Sequence, residues 1–143
     1  MRRKVNEAKK IFDKLNKVSK RQQRKKLVKQ LDILFSKYIR QRDGKCLRCG
    51  RTTTLQCAHI AGRRSLSGRW NDKNAITLCY ACHLRWSHQN PIEFSEWLKE
   101  TLPEYYEEGR RVIKTTVKNL NLEELIENYR VLVYGKPKKL PWE

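Results

Sequence analysis

CLRCGRTTTLQCAHI, residues 46–60, places three cysteines and a histidine within fifteen positions of a lysine-rich chain. Cys46 and Cys49 flank a two-residue spacer, and the same spacing returns downstream at Cys79 and Cys82. A two-residue spacer lets both sulfurs of one turn face the same ion, so the two pairs predict a tetrahedral four-thiolate shell around a structural Zn²⁺. Gly50 suits the tight backbone of the first knuckle. The alternatives for these four positions are ordinary buried cysteines or a redox pair. A region with so few apolar residues cannot cover its own backbone, and metal binding would supply much of its folding free energy. Cys57 is left over; two residues before His59 on one strand face it is a fifth ligand candidate, but a small buried apolar residue is the role expected.

Between and around the knuckles the pattern is of short elements. Residues 55–60 predict one strand and residues 74–78 (NAITL) a second, joined by the basic, glycine-containing loop GRRSLSGRW. A short helix beginning near Cys79 or Tyr80 would carry CHLRWSH. Upstream, Val5, Ala8, Ile11, Phe12, Leu15 and Val18 recur at helical spacing, and so do Leu27, Leu31, Leu34, Phe35, Tyr38 and Ile39, with Gly44 as a natural stop. SKRQQRKK, residues 19–26, has no apolar anchor; it suits either a charged continuation of helix or a hinge. Downstream, IEFSEWLKETL predicts an amphipathic helix after Pro91. Pro103 starts another through about Val117, and Asn121 with Glu124 three residues on caps a last one. The fold class expected is α+β and mostly helical, with four regions: a basic N-terminal helical arm (1–30), a zinc-knuckle core (31–91), a C-terminal helical region (92–135) and a loose tail (136–143).

The chain has 143 residues and a formal net charge of +18. Self-repulsion on that scale opposes compaction, and a polyanion such as nucleic acid is the natural partner. The N-terminal MRRKVNEAKK lacks the apolar core of a secretory signal, so reduced thiols in an intracellular setting are expected. No apolar run approaches the roughly 20 residues that span a bilayer, so no membrane partner is expected.

The chain has three histidines, His59, His83 and His88, and all lie inside or beside the knuckle region. His88 lies five residues beyond His83, one step past the spacing that aligns best on a helix; a local distortion, or a helix end near Ser87, would let both face one ion.

The order CxxC, then AHI, then NDKNAITLCYACH resembles the HNH endonucleases of the ββα-metal fold, in which a hairpin and a helix hold one divalent cation. LDILFSKYIRQRDGKCLRCG followed by CAHI resembles the NinG-type recombination nucleases of phages, and the knuckle layout is similar to that of phage junction resolvases. The likeness spans about residues 31–91. It implies His59 as the residue that activates water, Asn74 as the middle asparagine, and His83 as the final metal position, with His88 a further candidate ligand. Many members carry an aspartate before the first histidine as a metal ligand; here that position is Ala58. The implied activity is phosphodiester hydrolysis in DNA with Mg²⁺ or Mn²⁺, on branched or recombination intermediates, in the cytoplasm of a phage-infected or prophage-bearing bacterium. Resolvases of this kind act as symmetric dimers, which makes a homodimer an expectation by analogy.

Basic residues would serve the same end. Arg63, Arg64 and Arg69 in the inter-strand loop are expected to clamp phosphates beside the cut. Arg21, Arg24, Lys25 and Lys26 would grip the backbone without reading sequence. Trp70 and Trp86 are expected in the core. The competing readings are a non-catalytic zinc-finger-type DNA-binding protein and an RNA-binding module.

Overall fold

The computed structural model describes residues 2–136, so the expected loose tail lies almost wholly outside the described residues. The architecture is α+β and mostly helical. Helix α1 (Arg2–Asp43) leads into the first knuckle and strand β1 (Leu55–His59). A short helix α2 (Leu66–Arg69) and a 3₁₀ turn (Asp72–Asn74) come before strand β2 (Ala75–Cys79). The π-helix Ala81–Ser87 follows, then α3 (Pro91–Thr101), α4 (Pro103–Lys114) and α5 (Leu122–Tyr134). No described helix is long and apolar enough to cross a membrane.

Helix α1 is unbroken over 42 residues, about 63 Å at 1.5 Å per residue. Residues 19–26 continue it because Lys, Arg and Gln are good helix formers and no Gly or Pro intervenes. The boundary expected near residue 30 is therefore a change of surroundings on one rod and not a break in the chain. Every residue from 4 to 26 is exposed, including Ile11, Phe12 and Leu15, whereas Leu31, Phe35 and Ile39 are buried. The helix ends at Gly44, which takes a left-handed φ of 70° and donates its N–H to the Arg40 carbonyl at 2.9 Å.

The antiparallel hairpin pairs Leu55 with Cys79 and His59 with Ala75. All five residues of β2 are buried, because helices cover both faces of the hairpin. On one side Cys57 and Ala75 meet the buried face of α1, and Leu122, Ile126 and Tyr129 of α5 close that cluster. On the other side Ala58, Ile76 and Leu78 pack with Cys82 and Trp86 of the π-helix and with Phe94 and Leu98 of α3. The hairpin is thus held between two small cores, each drawing on alternate residues of the same strands.

Polar bonds lock α1 to β2. Asp43 accepts the Thr77 N–H at 2.8 Å and the Thr77 hydroxyl donates to the Ile39 carbonyl at 3.0 Å. Arg42 donates to the carbonyls of Asp72 (2.6 Å) and Ala75 (2.8 Å). These bonds satisfy backbone groups that a two-stranded sheet leaves open at its edge.

Several expected bounds shift slightly. The strands cover 55–59 and 75–79, and the helix from Pro103 ends at Lys114. The basic loop between the strands contains α2, capped by the Ser65 side chain, which accepts from the Ser67 N–H. Asn121 caps α5 as expected, accepting from the Glu124 N–H at 3.1 Å.

Candidate functional site

The four knuckle cysteines converge at the open end of the hairpin, where Leu55 pairs with Cys79, and their sulfurs all lie within 4.8 Å of one another. Cys49 Sγ and Cys79 Sγ are 3.7 Å apart. Sulfurs at the corners of a tetrahedron with Zn–S bonds of about 2.3 Å stand about 3.8 Å apart, so the spacing fits zinc. The Gly50 N–H donates to the Cys46 carbonyl at 2.9 Å with φ of 78°, which closes the first knuckle. Burial opposes ionisation of Cys46, but backbone N–H groups directed at its sulfur outweigh it and bring the thiol down to about 7. Arg48, between the first pair, donates to Cys82 Sγ at 3.7 Å and lies 3.7 Å from the centre of the Trp86 ring. Four thiolates and Zn²⁺ would carry a net negative charge, and this guanidinium offsets part of it. Cys57 stays outside the cluster, and burial pushes its thiol up to about 12.

The π-helix decides where the imidazoles go. Its wide turn carries the His88 N–H to the His83 carbonyl, five residues back, at 3.2 Å. His83 and His88 therefore lie on one side, with ring centres 4.6 Å apart and edge to face. The five-residue spacing that misfits an α-helix fits this turn.

Each of the two candidate working histidines has one ring nitrogen committed. His59 Nε2 lies 2.8 Å from the Arg69 carbonyl, which can only accept, so Nε2 carries the proton and Nδ1 keeps its lone pair. His83 Nδ1 lies 2.8 Å from Gln56 Oε1, which leaves Nε2 of His83 with the lone pair. The His59 ring also stacks on Phe35 of α1, centres 5.5 Å apart. Burial lowers the pKa of His59 against the pull of its Arg69 bond. Burial, reinforced by the charges His88 and His59 would carry, lowers His83 to about 4. Both imidazoles are thus neutral at pH 7. His59 and His88 line the same cavity.

Asn74 is fully buried, and its side chain is used up on the loop beside His59. Oδ1 accepts the Ala61 N–H at 3.0 Å and Nδ2 donates to the Gly68 carbonyl at 3.0 Å. These bonds suit it to orient that loop. Arg69, expected at phosphates, is instead engaged internally: it grips Asp32 of α1 at 2.7 and 3.0 Å. That pair, joined by the Trp70 Nε1 donor at 2.9 Å, fixes the carbonyl that orients His59. Arg63 and Arg64 are exposed and make no hydrogen bond or ion pair among the described residues. Arg21, Arg24, Lys25 and Lys26 are exposed along α1, where the first three border a shallow groove ending at Asp32. Trp70 and Trp86 are both buried.

Comparison with protein-family models, with curated proteins and with solved structures finds no match. The reading of the site therefore rests on its own geometry. Four of its residues were not singled out from sequence: Gln56, Arg48, Asp32 and Phe35. Gln56 carried a usable signal, because strand alternation puts it on the same face as Ala58, toward the helix that bears His83.

A second cation has fewer donors. The four cysteines are the one cluster of three or more metal-ligating side chains among the described residues, so the histidines offer a pair and not a full shell. Two neutral imidazoles with the remaining positions open to water and phosphate would suit a first-row transition ion, Mn²⁺ included, better than oxygen-seeking Mg²⁺. Ala58, buried against Ile76 and Leu78, supplies no oxygen.

Proposed function

We propose that the chain is a metal-dependent endonuclease of the HNH type, hydrolysing DNA phosphodiester bonds, with recombination intermediates of a phage as the substrate its NinG-type likeness suggests. The observation that carries the reading is the opposite commitment of two imidazoles, His83, which packs against His88, and His59, which lines one cavity with His88. His59 keeps Nδ1 free to take a proton, and His83 keeps Nε2 free to hold a cation.

The roles follow from those free lone pairs. Nδ1 of neutral His59 takes the proton from the attacking water, while Phe35 and the Arg69 carbonyl hold the ring against rotation. His83 and His88 would hold the cation, which when bound neutralises charge on the scissile phosphate and the departing 3′ oxygen. Asn74 keeps the loop after β1 in place, and Arg63 and Arg64 reach flanking phosphates from that loop. The four-cysteine centre braces the turn from which His83 projects, since Cys82 is its neighbour in sequence.

The test is a plasmid-nicking assay with Mn²⁺ or Mg²⁺ on zinc-loaded protein. His59→Ala is expected to lower the rate by about 10²–10⁴ while DNA affinity is retained, as loss of a general base would. Mn²⁺ is expected to support faster cleavage than Mg²⁺. Unmodified protein that binds DNA but leaves it intact with every divalent ion would instead identify a non-catalytic zinc protein.

A further inference from the structure

Beside the histidines lies a cavity of about 550 Å³, walled by the loop after β1, by α3 and by α4. Its volume falls within the range of about 300–1,000 Å³ that suits a small organic group and excludes a duplex. Ile60, Leu98 and Ile113 make its sides apolar, and Tyr106 presents an aromatic ring. Ile113 stands 74% exposed at the rim. The Arg110 guanidinium lies 5.9 Å from the centre of the Tyr106 ring, and its one ion pair among the described residues, with Glu107, is a long 3.9 Å between exposed side chains. Arg110 is thus free to turn toward an anion.

We propose that this cavity is a subsite for one unpaired nucleobase of the DNA, next to the phosphate at the histidines. The inference rests on the reading of that site as one that handles DNA, and it adds what kind of strand is taken. Three observations combine. His59 and His88 form one wall, so a group held in the cavity is connected to a phosphate at those rings. The other walls offer aliphatic and aromatic surface of the kind on which bases stack without regard to sequence. Arg110 at the edge supplies the positive charge that the adjoining phosphate needs. A base inside a stacked duplex cannot enter, so a nucleotide already out of the stack is the better ligand. The close packing that shapes the cavity is built in: a Cβ at Gly109 of α4 would stand 2.7 Å from Ile60 Cγ2, so a larger residue there would force the wall apart.

The experiment compares three oligonucleotide duplexes of one sequence. The first is fully paired, the second has a single bulged 2-aminopurine, and the third has an abasic bulge. Affinity and 2-aminopurine fluorescence are read on zinc-loaded protein without other divalent ions, and cleavage with Mn²⁺ is read in parallel. The bulged base is expected to bind about tenfold tighter or more than the paired duplex, in line with the roughly 5- to 150-fold that stacking of one base is worth. The abasic bulge should lose that advantage. Ile113→Asn at the exposed rim and Ser95→Phe, which fills the cavity, should bring the bulged duplex down to the paired level while paired-duplex affinity stays the same. Equal affinity for all three duplexes, or a bulge preference that survives both variants, overturns the subsite. Cleavage without base preference removes the subsite and keeps the nuclease; base preference without cleavage does the reverse.

Discussion

A histidine's usefulness depends on which nitrogen is spoken for, and here two neighbours settle it. Gln56 sets the ring of His83 through a 2.8 Å bond. Gln56→Leu is expected to weaken Mn²⁺ binding about 10- to 100-fold, as loss of a partner behind a ligating imidazole does, with the four-cysteine zinc retained. Titration followed by electron paramagnetic resonance reads it; an unchanged affinity would show that the bond does nothing for the ligand. In the proposed nuclease, His59 would carry the pH dependence. A general base works only when neutral, and burial moves its pKa below the ordinary 6.5, so more acid is needed to silence it. The acid limb of kcat/KM is therefore expected below pH 6.5 and activity to be flat above it. An acid limb centred at 7 or higher would rule out a buried His59 as the base.

At the scale of elements, close approach of helix and loop does the positioning. Gly68 of α2 sits where a Cβ would meet Val112 Cγ1 at 2.6 Å and Asn74 Nδ2 at 2.7 Å, both on buried side chains. Gly68→Ala is expected to cost about 1–3 kcal/mol in urea unfolding, as overpacking of a filled site does. It should also disturb the Asn74 bond to the Gly68 carbonyl; full stability in the variant would mean that α4 gives way easily. Most elements were legible because their punctuation is local: Gly44 stops α1, Pro91 and Pro103 start α3 and α4, and Asn121 caps α5. The continuity of residues 19–26 was not, since a run without apolar anchors shows no periodicity to read. In the site, the cysteine pairs were legible from spacing alone. The grip of Asp32 on Arg69 was not, because it joins residues 37 apart in sequence and depends on how α1 lies against α2. The His83–His88 interval lay between the two, a spacing that announced a distortion without naming the π turn.

At the scale of the whole molecule, the +18 charge is unevenly deployed. Glutamates gather on α3, α4 and α5, and the projecting half of α1 carries a dense run of lysine and arginine. Removal of residues 1–23 takes away a segment whose residues 4–23 are exposed and belong to neither core. The melting temperature should hold, DNA affinity should fall, and the dependence of log affinity on log salt should flatten by about 0.9 for each phosphate that is no longer neutralised. A large fall in melting temperature would mean that the arm folds back on the body. The unbroken course of α1 also has a geometric result. Residues 2–26 extend about 37 Å at 1.5 Å per residue, close to one turn of B-form duplex at about 34–36 Å. Because that stiff spar leaves the body in one direction, hydroxyl-radical protection of a bound strand would be lopsided, reaching roughly ten base pairs farther to one side of the nick than to the other.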